Sequence, residues 1–301
     1  IGFHVCEFLE LKKIPYFGID NFSKSHPKNI INKKKFKKMD INSDKISVLL
    51  KSKKIKIILH AAAFSFPLES ENNKKKYSIN NIKKTKKFVK LCQKFSVEKF
   101  IFLSSSNVYN FNLRQICSVK ENNTIQPNNY YGKTKSVIEK YLKNKFKTCY
   151  ILRLFNIAGY SNKRKFHEFK NNHRRIMPVI TDAYKNKVRL KINLFKNRDK
   201  ILFPARDFVH IQDLLNIILK IIKRENTGYK VMNVCNNKLI YLNSIIKNFE
   251  QKLNKKIKYT TKLNNIGNYS YTLGNNFKLK KNLKFNFRYN FNDIVESCIK
   301  N

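Results

Sequence analysis

Tryptophan is absent from this chain, and glycine, proline and acidic residues are scarce. The 301 residues include no Trp, 7 Gly, 6 Pro and only 19 Asp plus Glu against 64 Lys plus Arg. No Gly/Pro-rich linker separates independent domains, so two lobes built around one sheet are expected. The length and an apolar content of 42% are sufficient for a sizeable core.

Long apolar runs are also missing. None approaches the length of a membrane-spanning helix, and no charged-then-apolar leader opens the sequence, so the protein is expected to be cytoplasmic. The six cysteines form no C-x-x-C pair and show no spacing typical of metal ligands. They are expected to be reduced thiols of the core, and no metal site is predicted.

The basic excess gives a formal charge of +45 and a pI near 10.1. Such values usually indicate a polyanionic partner such as nucleic acid. Here the lysines are spread along the whole chain together with abundant Asn and Ile, which indicates a general compositional bias and solvated surfaces. We therefore predict no specific nucleic-acid partner and no membrane partner.

Strand and helix patterns alternate through the first half of the chain. Strands are predicted at 15–20, 55–60, 99–105 and 148–154, and helices at 2–13, 43–52, 79–95 and from 131 onward. The second half is looser, with helices predicted at 176–186, 213–223, 242–253 and 292–300 and strands at 188–195 and 230–234. Strands separated by helical stretches of this length predict βαβ units, a parallel sheet and an α/β fold.

A tyrosine and a lysine four residues apart, Tyr131 and Lys135, share one face of a predicted helix. An ammonium group beside a phenol favours its ionised form, which predicts that Tyr131 is an acid/base. In a chain rich in Tyr and Lys, a pair with this spacing can also occur by chance, so the pair alone is weak evidence for catalysis. Upstream, however, the buried strand at 99–103 ends in three serines, at the end of a parallel strand where α/β sheets bind ligands.

Further motifs resemble those of the extended short-chain dehydrogenase/reductase family, which includes the NAD-dependent epimerases and dehydratases. They are Ile1-Gly2-Phe3-His4, Asp20-Asn21, Asp40-Ile41, His60-Ala61-Ala62-Ala63, Asn80-Asn81, Asn156 and the segment from Arg206 to His210. Ser105, Tyr131 and Lys135 fall on the catalytic triad of that family. The resemblance implies a Rossmann-like doubly wound parallel sheet with a smaller carboxyl-terminal substrate-binding lobe.

The resemblance also implies NAD as the cofactor. It assigns cofactor contacts to Gly2, Asp20, Asn21, Asp40, Ile41, Ala61, Ala62, Ala63, Asn81, Tyr131, Lys135 and Phe155. An aspartate at the end of the second strand accepts hydrogen bonds from the adenosine ribose and repels a 2′-phosphate, so NAD is favoured over NADP. The small residues at 61–63 let the backbone approach the cofactor closely.

Among family members, the sugar-nucleotide 4-epimerases are the most similar in motif. This implies NAD-dependent epimerisation at C4 of a UDP-hexose, UDP-glucose or UDP-galactose, through a 4-keto intermediate. Substrate contacts are implied for Ser105, Tyr131, Asn156, Arg175, Phe195 and Arg206. A guanidinium fork suits pyrophosphate oxygens, although Arg206 alternatively forms a salt bridge with Asp207 or Asp213.

The resemblance has further implications for the organisation of the chain. Residues 1–155 are expected to form the NAD-binding lobe and 156–301 the nucleotide-sugar lobe, with parts of 205–240 returning to the first lobe. The first strand and first two glycines of the family fingerprint are expected to be missing through an amino-terminal truncation. At 264–268 a second pyrophosphate arginine is replaced by other residues, and Arg175 is a candidate to compensate. A homodimer through helices 79–95 and 131–145 is possible.

Two alternatives stay open. Epimerases of UDP-N-acetylglucosamine or UDP-glucuronate share all the strong motifs. A dTDP-glucose dehydratase is disfavoured, because dehydration needs extra carboxylates beside the catalytic serine and Ser106-Asn107 supplies none. From a different class, the chain could be a non-catalytic nucleotide-binding or polyanion-binding remnant, which the joint retention of Ser105, Tyr131 and Lys135 argues against.

Overall fold

Alternating strands and helices build layered α/β structure in a computed structural model, which describes residues 1–300 except 112–116, 162–174, 186–187, 198–199 and 264–270. The helices are α1 (Gly2–Leu11), α2 (Lys45–Ser52), α3 (Pro67–Asn72), α4 (Lys74–Tyr77), α5 (Thr85–Lys94), α6 (Tyr130–Leu142), α7 (Ile176–Tyr184), α8 (Ile211–Lys223), α9 (Leu242–Leu253), α10 (Phe277–Leu283) and α11 (Phe291–Lys300). A π-helical stretch, Ser78–Lys84, joins α4 to α5.

The strands are short except in the centre of the main sheet. They are β1 (Gly18–Asp20), β2 (Phe36–Lys38), β3 (Ile57–His60), β4 (Lys99–Ser105), β5 (Thr148–Leu154), β6 (Asn156–Ala158), β7 (Leu190–Asn197), β8 (Lys200–Leu202), β9 (Ala205–His210), β10 (Gly228–Val234), β11 (Leu239–Tyr241), β12 (Tyr259–Leu263) and β13 (Tyr271–Thr272).

The main sheet is parallel and has the order β10-β5-β4-β3. Every residue of β4 and β5 is buried, as expected for central strands covered on both faces. The strands β1 and β2 form a separate parallel pair. Within the described residues, no strand pairing joins β1–β2 to the main sheet.

Side chains alternate between the two faces of β4 and so divide the core into two layers. Ile101 and Leu103 pack with buried residues of α1, α8 and α10. Phe100 and Phe102 pack on the opposite face with buried residues of α2, α5 and α6. Helices therefore cover both faces of the parallel sheet, which makes the fold doubly wound.

The later elements form a second body of sheet and helix. Strand β9 pairs with β11, β13 and β6, and β7 pairs with β8 and β12. Helices α7, α9 and α11 bury their apolar faces against these strands in a separate hydrophobic cluster. Strand β6 follows β5 after a single residue, so the chain passes directly from the end of the main sheet into this second body.

Some predicted elements differ from the observed ones. Of the strand predicted at 15–20, only the three residues of β1 are extended. The helical segment predicted at 79–95 begins earlier, at the start of α4. Helix α10, whose Leu279 and Leu283 are buried in the first core layer, was not among the predicted elements.

Membrane-spanning helices and clusters of metal ligands were both searched for in the described part of the chain. There, no helix combines the length and apolar character needed to cross a membrane. Within the same residues, no cluster of three or more His, Cys, Asp or Glu side chains is suited to a metal ion. All six cysteines are free thiols, and Cys92, Cys149, Cys235 and Cys298 are buried.

Candidate active site

A cavity of about 1950 Å³ lies at the carboxyl ends of β1, β3, β4 and β5. Its wall includes Asp20, His60, Ser105 and Leu154, which end these strands. The cavity also passes between the β1–β2 pair and the main sheet, and its far wall comes from the second body. This is the edge of the sheet where α/β proteins bind ligands.

The predicted triad meets on one wall of this cavity. Tyr131 and Lys135 project from one face of α6, and Ser105 is the last residue of β4; all three are buried. Lys135 Nζ donates to the Leu103 carbonyl at 2.7 Å and lies 5.8 Å from the centroid of the Tyr131 ring. The Ser105 side chain is near enough to the Tyr131 phenol to lower the pKa of that phenol, and its Oγ accepts a hydrogen bond from Asn107 N at 3.2 Å.

The first turn of α6 is held in place by its cap and by a close backbone approach. Asn129 is the N-cap residue, and its Oδ1 accepts a hydrogen bond from Gly132 N at 2.8 Å. A Cβ placed on Gly132 would lie 2.0 Å from the Asn107 carbonyl oxygen, in the turn after Ser105. Only glycine lets the helix lie this close to the end of β4.

Burial changes the charge balance that the sequence predicted for the Tyr/Lys pair. Burial raises the pKa of Tyr131, whereas the Ser105 side chain and the Arg175 charge both act to lower it. Burial also lowers the pKa of Lys135 to about 7, opposed by Glu139. Desolvation disfavours the charged forms of both groups, so burial opposes the ionisation of the phenol that a neighbouring ammonium favours.

A buried ionic network behind the triad was not predicted from the sequence. Arg153 of β5 donates to both carboxylate oxygens of Glu139 on α6, with an Nη2–Oε2 distance of 2.7 Å. Ser104 Oγ donates to Glu139 Oε1 at 2.5 Å. The available signals were an arginine inside the apolar β5 and a glutamate four residues after Lys135.

On the cofactor side, two aspartates lie near the end of β1. Asp20 Oδ1 accepts hydrogen bonds from Phe22 N and Ser25 Oγ. Asp40 Oδ2 accepts from Asn21 at 2.8 Å and from Lys84 at 2.6 Å. Although burial opposes it, the Lys84 hydrogen bond holds the pKa of Asp40 below its usual value, so this carboxylate stays anionic.

The structure brings the other residues predicted for the cofactor to the cavity with one exception. Gly2, Ile41, Ala61, Ala62, Ala63 and Phe155 all contribute to its wall. Asn81 does not: its amide bonds the backbone of Phe64 and the Thr134 hydroxyl, and its neighbour Asn80 lies at the cavity instead. Sequence spacing could not separate these adjacent asparagines.

The residues predicted for the substrate line the far wall. Asn156, Arg175, Phe195 and Arg206 are all at the cavity. Arg175 Nη2 donates to Ser65 Oγ at 3.3 Å, and burial lowers the pKa of Arg206 to about 10. The segment 264–268, where a second pyrophosphate arginine was expected to be lost, lies outside the described residues.

Asp207 and Asp213, the two carboxylates named as alternative salt-bridge partners of Arg206, both accept hydrogen bonds from backbone N–H groups. Asp207 accepts hydrogen bonds from the backbone N–H groups of Asn236 and Asn237. Asp213 accepts from the backbone N–H groups of Arg288 and Tyr289. Both aspartates therefore fix loop backbone in the structure.

His60, at the end of β3, makes the fold sensitive to acid. Its ring stacks between Phe88 and Phe102, and burial, with the Lys135 charge, lowers the pKa of His60 to about 3. In the unfolded chain the imidazole of His60 takes up a proton near pH 6.5, whereas in the folded chain it stays neutral down to a much lower pH. The free energy of unfolding is therefore highest above pH 6.5 and decreases as the pH falls below that value. We expect a loss of about 2 kcal/mol between pH 7 and 5 from this one group.

Urea unfolding at the two pH values measures this effect. His60→Phe should lose about 2 kcal/mol less than the unsubstituted chain between pH 7 and 5. The matched variant is His26→Phe, in a surface turn, which should keep the full acid sensitivity. Equal losses for His60→Phe and the unsubstituted chain would contradict the assignment.

Comparison with known proteins agrees with this geometry. The fold is that of Rossmann-like α/β enzymes: a UDP-glucose 4-epimerase from Stenotrophomonas maltophila, solved with NAD and formylated UDP-arabinopyranose, matches 99% of this chain and 93% of its own at a TM-score of 0.90 and 19% identity. A UDP-N-acetylglucosamine 4-epimerase from Methanobrevibacter ruminantium matches 99% of this chain and 94% of its own at a TM-score of 0.81 and 21% identity.

Sequence comparison identifies the family. A UDP-glucose 4-epimerase from Lacticaseibacillus casei is 28% identical over 239 residues, which cover 76% of this chain and 71% of the relative. Residues 1–235 match the model of the NAD dependent epimerase/dehydratase family. The chain belongs to the NAD dependent epimerase/dehydratase family, as its motifs predicted.

Proposed function

We propose that the chain is an NAD-dependent epimerase that inverts C4 of a UDP-hexose and so interconverts UDP-glucose and UDP-galactose. The proposal is carried by one observation: Ser105, Tyr131 and Lys135 meet on a wall of the same cavity that contains Asp20 and Arg206. A carboxylate suits an adenosine ribose and a guanidinium suits a pyrophosphate.

The residues near β1 fit NAD, the cofactor named by the family. Gly2 leaves the start of α1 without a side chain, and a Cβ built there would meet no atom closer than 3.9 Å. Helix amino termini attract phosphate groups, and the Asp20 carboxylate disfavours a 2′-phosphate. When bound, NAD would supply the acceptor for the hydride of the sugar C4 and return it to the other face.

The protein's own groups would handle the proton of the sugar 4-hydroxyl. Tyr131, in its ionised form, takes this proton at its phenol oxygen and gives it back in the reverse direction. Ser105 Oγ donates a hydrogen bond to the same sugar oxygen. The Arg175 charge favours the phenolate against the effect of burial. A protonated Lys135, whose Nζ lies 5.8 Å from the Tyr131 ring centroid, would act in the same direction.

A second candidate substrate is UDP-glucuronate, and one observation favours it. The Arg175 guanidinium, placed at the cavity beside Ser65, is close enough to Tyr131 to influence the phenol. A guanidinium in that place suits the carboxylate of a hexuronate. Its charge equally suits the pyrophosphate of UDP-hexoses, so the first candidate is retained.

Substrate tests separate these candidates. The purified chain, supplied with NAD, is incubated separately with UDP-galactose, UDP-N-acetylglucosamine and UDP-glucuronate, and products are separated by anion exchange. We expect UDP-galactose to be converted to UDP-glucose at the highest rate. Faster conversion of either other substrate would replace the UDP-hexose assignment while leaving the C4 epimerase assignment in place.

The cofactor preference provides a separate prediction. The chain should bind NAD at least tenfold more tightly than NADP, because Asp20 repels a 2′-phosphate. Asp20→Ser should remove most of this preference in a fluorescence titration with both dinucleotides. Asp44→Asn, at a fully exposed carboxylate, should leave it unchanged. Equal affinities of the unsubstituted chain for NAD and NADP would refute the ribose role.

A further inference from the structure

Helix α6 holds three consecutive residues at the end of β4, each through a different side chain. Lys135 Nζ donates to the Leu103 carbonyl at 2.7 Å. Glu139 Oε1 accepts from Ser104 Oγ at 2.5 Å, and the Tyr131 phenol interacts with the Ser105 hydroxyl, which lowers the pKa of the phenol against the effect of burial. Tyr131, Lys135 and Glu139 are spaced at four-residue intervals, so they form one stripe on the helix.

Glu139 has no part in the proton transfer described above, yet it is costly to bury. Its side chain and that of Arg153 are each only 3% exposed. Burial acts to lower the pKa of Arg153, but the hydrogen bonds to Glu139 raise it above its usual value, so the pair is ionic. Buried ion pairs are weak contributors to stability when compared with apolar packing, which points to a role beyond stability.

We propose that Glu139 is a positioning residue of the reaction: it fixes Ser105 against Tyr131 through Ser104, and it keeps positive charge on Lys135. The inference rests on the proposed function, since it gives Glu139 a task in the chemistry of that site. Arg153 holds the Glu139 carboxylate in one orientation through hydrogen bonds from its Nε and Nη2 to both carboxylate oxygens.

The groups around Lys135 support this electrostatic role. From its own helix, Tyr131 and Glu139 face it; from β3, His60 interacts with its charge. From β4 it meets the Leu103 carbonyl and, at 4.7 Å, the Phe102 ring. Glu139 is the one acidic side chain among these described neighbours. Without it, no anion opposes the effect of burial, which lowers the pKa of Lys135.

Glu139→Gln tests the electrostatic part. Loss of the anion lets Lys135 lose its proton at lower pH, the phenol then loses a nearby cation, and ionisation of Tyr131 shifts to higher pH. We expect the acidic limb of kcat against pH to move up by about one pH unit and kcat at pH 7 to fall by up to about tenfold. KM should change little. Glu98→Gln removes an equal charge from an exposed ion pair and should change neither quantity.

Ser104→Ala tests the positioning part without disturbing any charge. It should lower kcat about tenfold and leave the pH limb where it is. If Glu139→Gln fails to fold because Arg153 keeps a buried charge, Glu139→Gln with Arg153→Gln removes both charges and should still move the limb upward. An unchanged limb in the folded variants, with kcat reduced only in proportion to unfolded protein, would overturn the proposal.

A titration that needs no substrate separates this inference from the proposed function. With NAD present, the phenolate absorbance of the chain minus that of Tyr131→Phe reports the ionisation of Tyr131 alone. The same difference in the Glu139→Gln background should give a higher pKa for Tyr131. A higher value without conversion of any UDP-sugar would leave the inference standing and the substrate proposal wrong. An unchanged value would overturn the inference whatever the substrate.

Discussion

Tyr131→Phe should lower kcat by about a thousandfold while the protein stays folded. The substitution removes only the phenol oxygen, to which the proposed function assigns the exchange of the proton of the sugar 4-hydroxyl. The ring remains packed against Phe64 and Tyr77, so we expect little change in melting temperature and in the affinity for NAD. Turnover is measured as conversion of UDP-galactose to UDP-glucose under saturating NAD.

The adjacent tyrosine provides a matched control. Tyr130 belongs to the same first turn of α6 but is only partly buried and does not line the cavity. Tyr130→Phe should retain near-normal turnover. If Tyr131→Phe retained it as well, Tyr131 could not be the acid/base of the reaction.

Gly132→Ala should damage both the site and the fold. The added Cβ would lie 2.0 Å from the Asn107 carbonyl oxygen and 2.8 Å from its carbon, both rigid backbone atoms. To relieve the clash, α6 must move away from the turn that follows Ser105. Overpacking of this kind costs about 1–3 kcal/mol or more, and a displacement of about 1 Å between catalytic groups costs about a hundredfold in rate.

Urea unfolding and steady-state kinetics measure the two effects of Gly132→Ala. Ser136→Ala, on the exposed face of the same helix, is the control and should change both quantities little. Unfolding free energy and kcat equal to those of the control would mean that α6 can shift without disturbing Ser105 and Tyr131.

The sequence predicted those elements whose pattern is unambiguous. Strand β5 and helix α9 have the predicted ends, because one is a largely apolar run and the other has clear helical periodicity. Strand β2 and helix α10 were not predicted, because their lysine-rich sequences contain too few apolar residues to give a clear strand or helix pattern. Tertiary packing therefore decides the short basic segments.

The same division applies to the site. Ser105, Tyr131 and Lys135 could be predicted to meet, because strand order and helical spacing place them at one edge of the sheet. The Glu139–Arg153 pair could not, since it joins α6 to β5 and depends on how the helix packs on the sheet. The effect of burial on Tyr131 and Lys135 could not be predicted for a related reason: spacing does not reveal burial, which is the largest cause of the pKa shifts of both groups.

The most direct test of the epimerase assignment follows the hydrogen at C4. UDP-galactose carrying deuterium at C4 is incubated with the chain and NAD, and the UDP-glucose formed is analysed by mass spectrometry and NMR. We expect UDP-glucose that retains the deuterium at C4, since the hydrogen removed from one face is returned to the other within the same site. UDP-glucose in which solvent hydrogen has replaced the deuterium, or an absence of UDP-glucose while NAD is bound, would contradict the account.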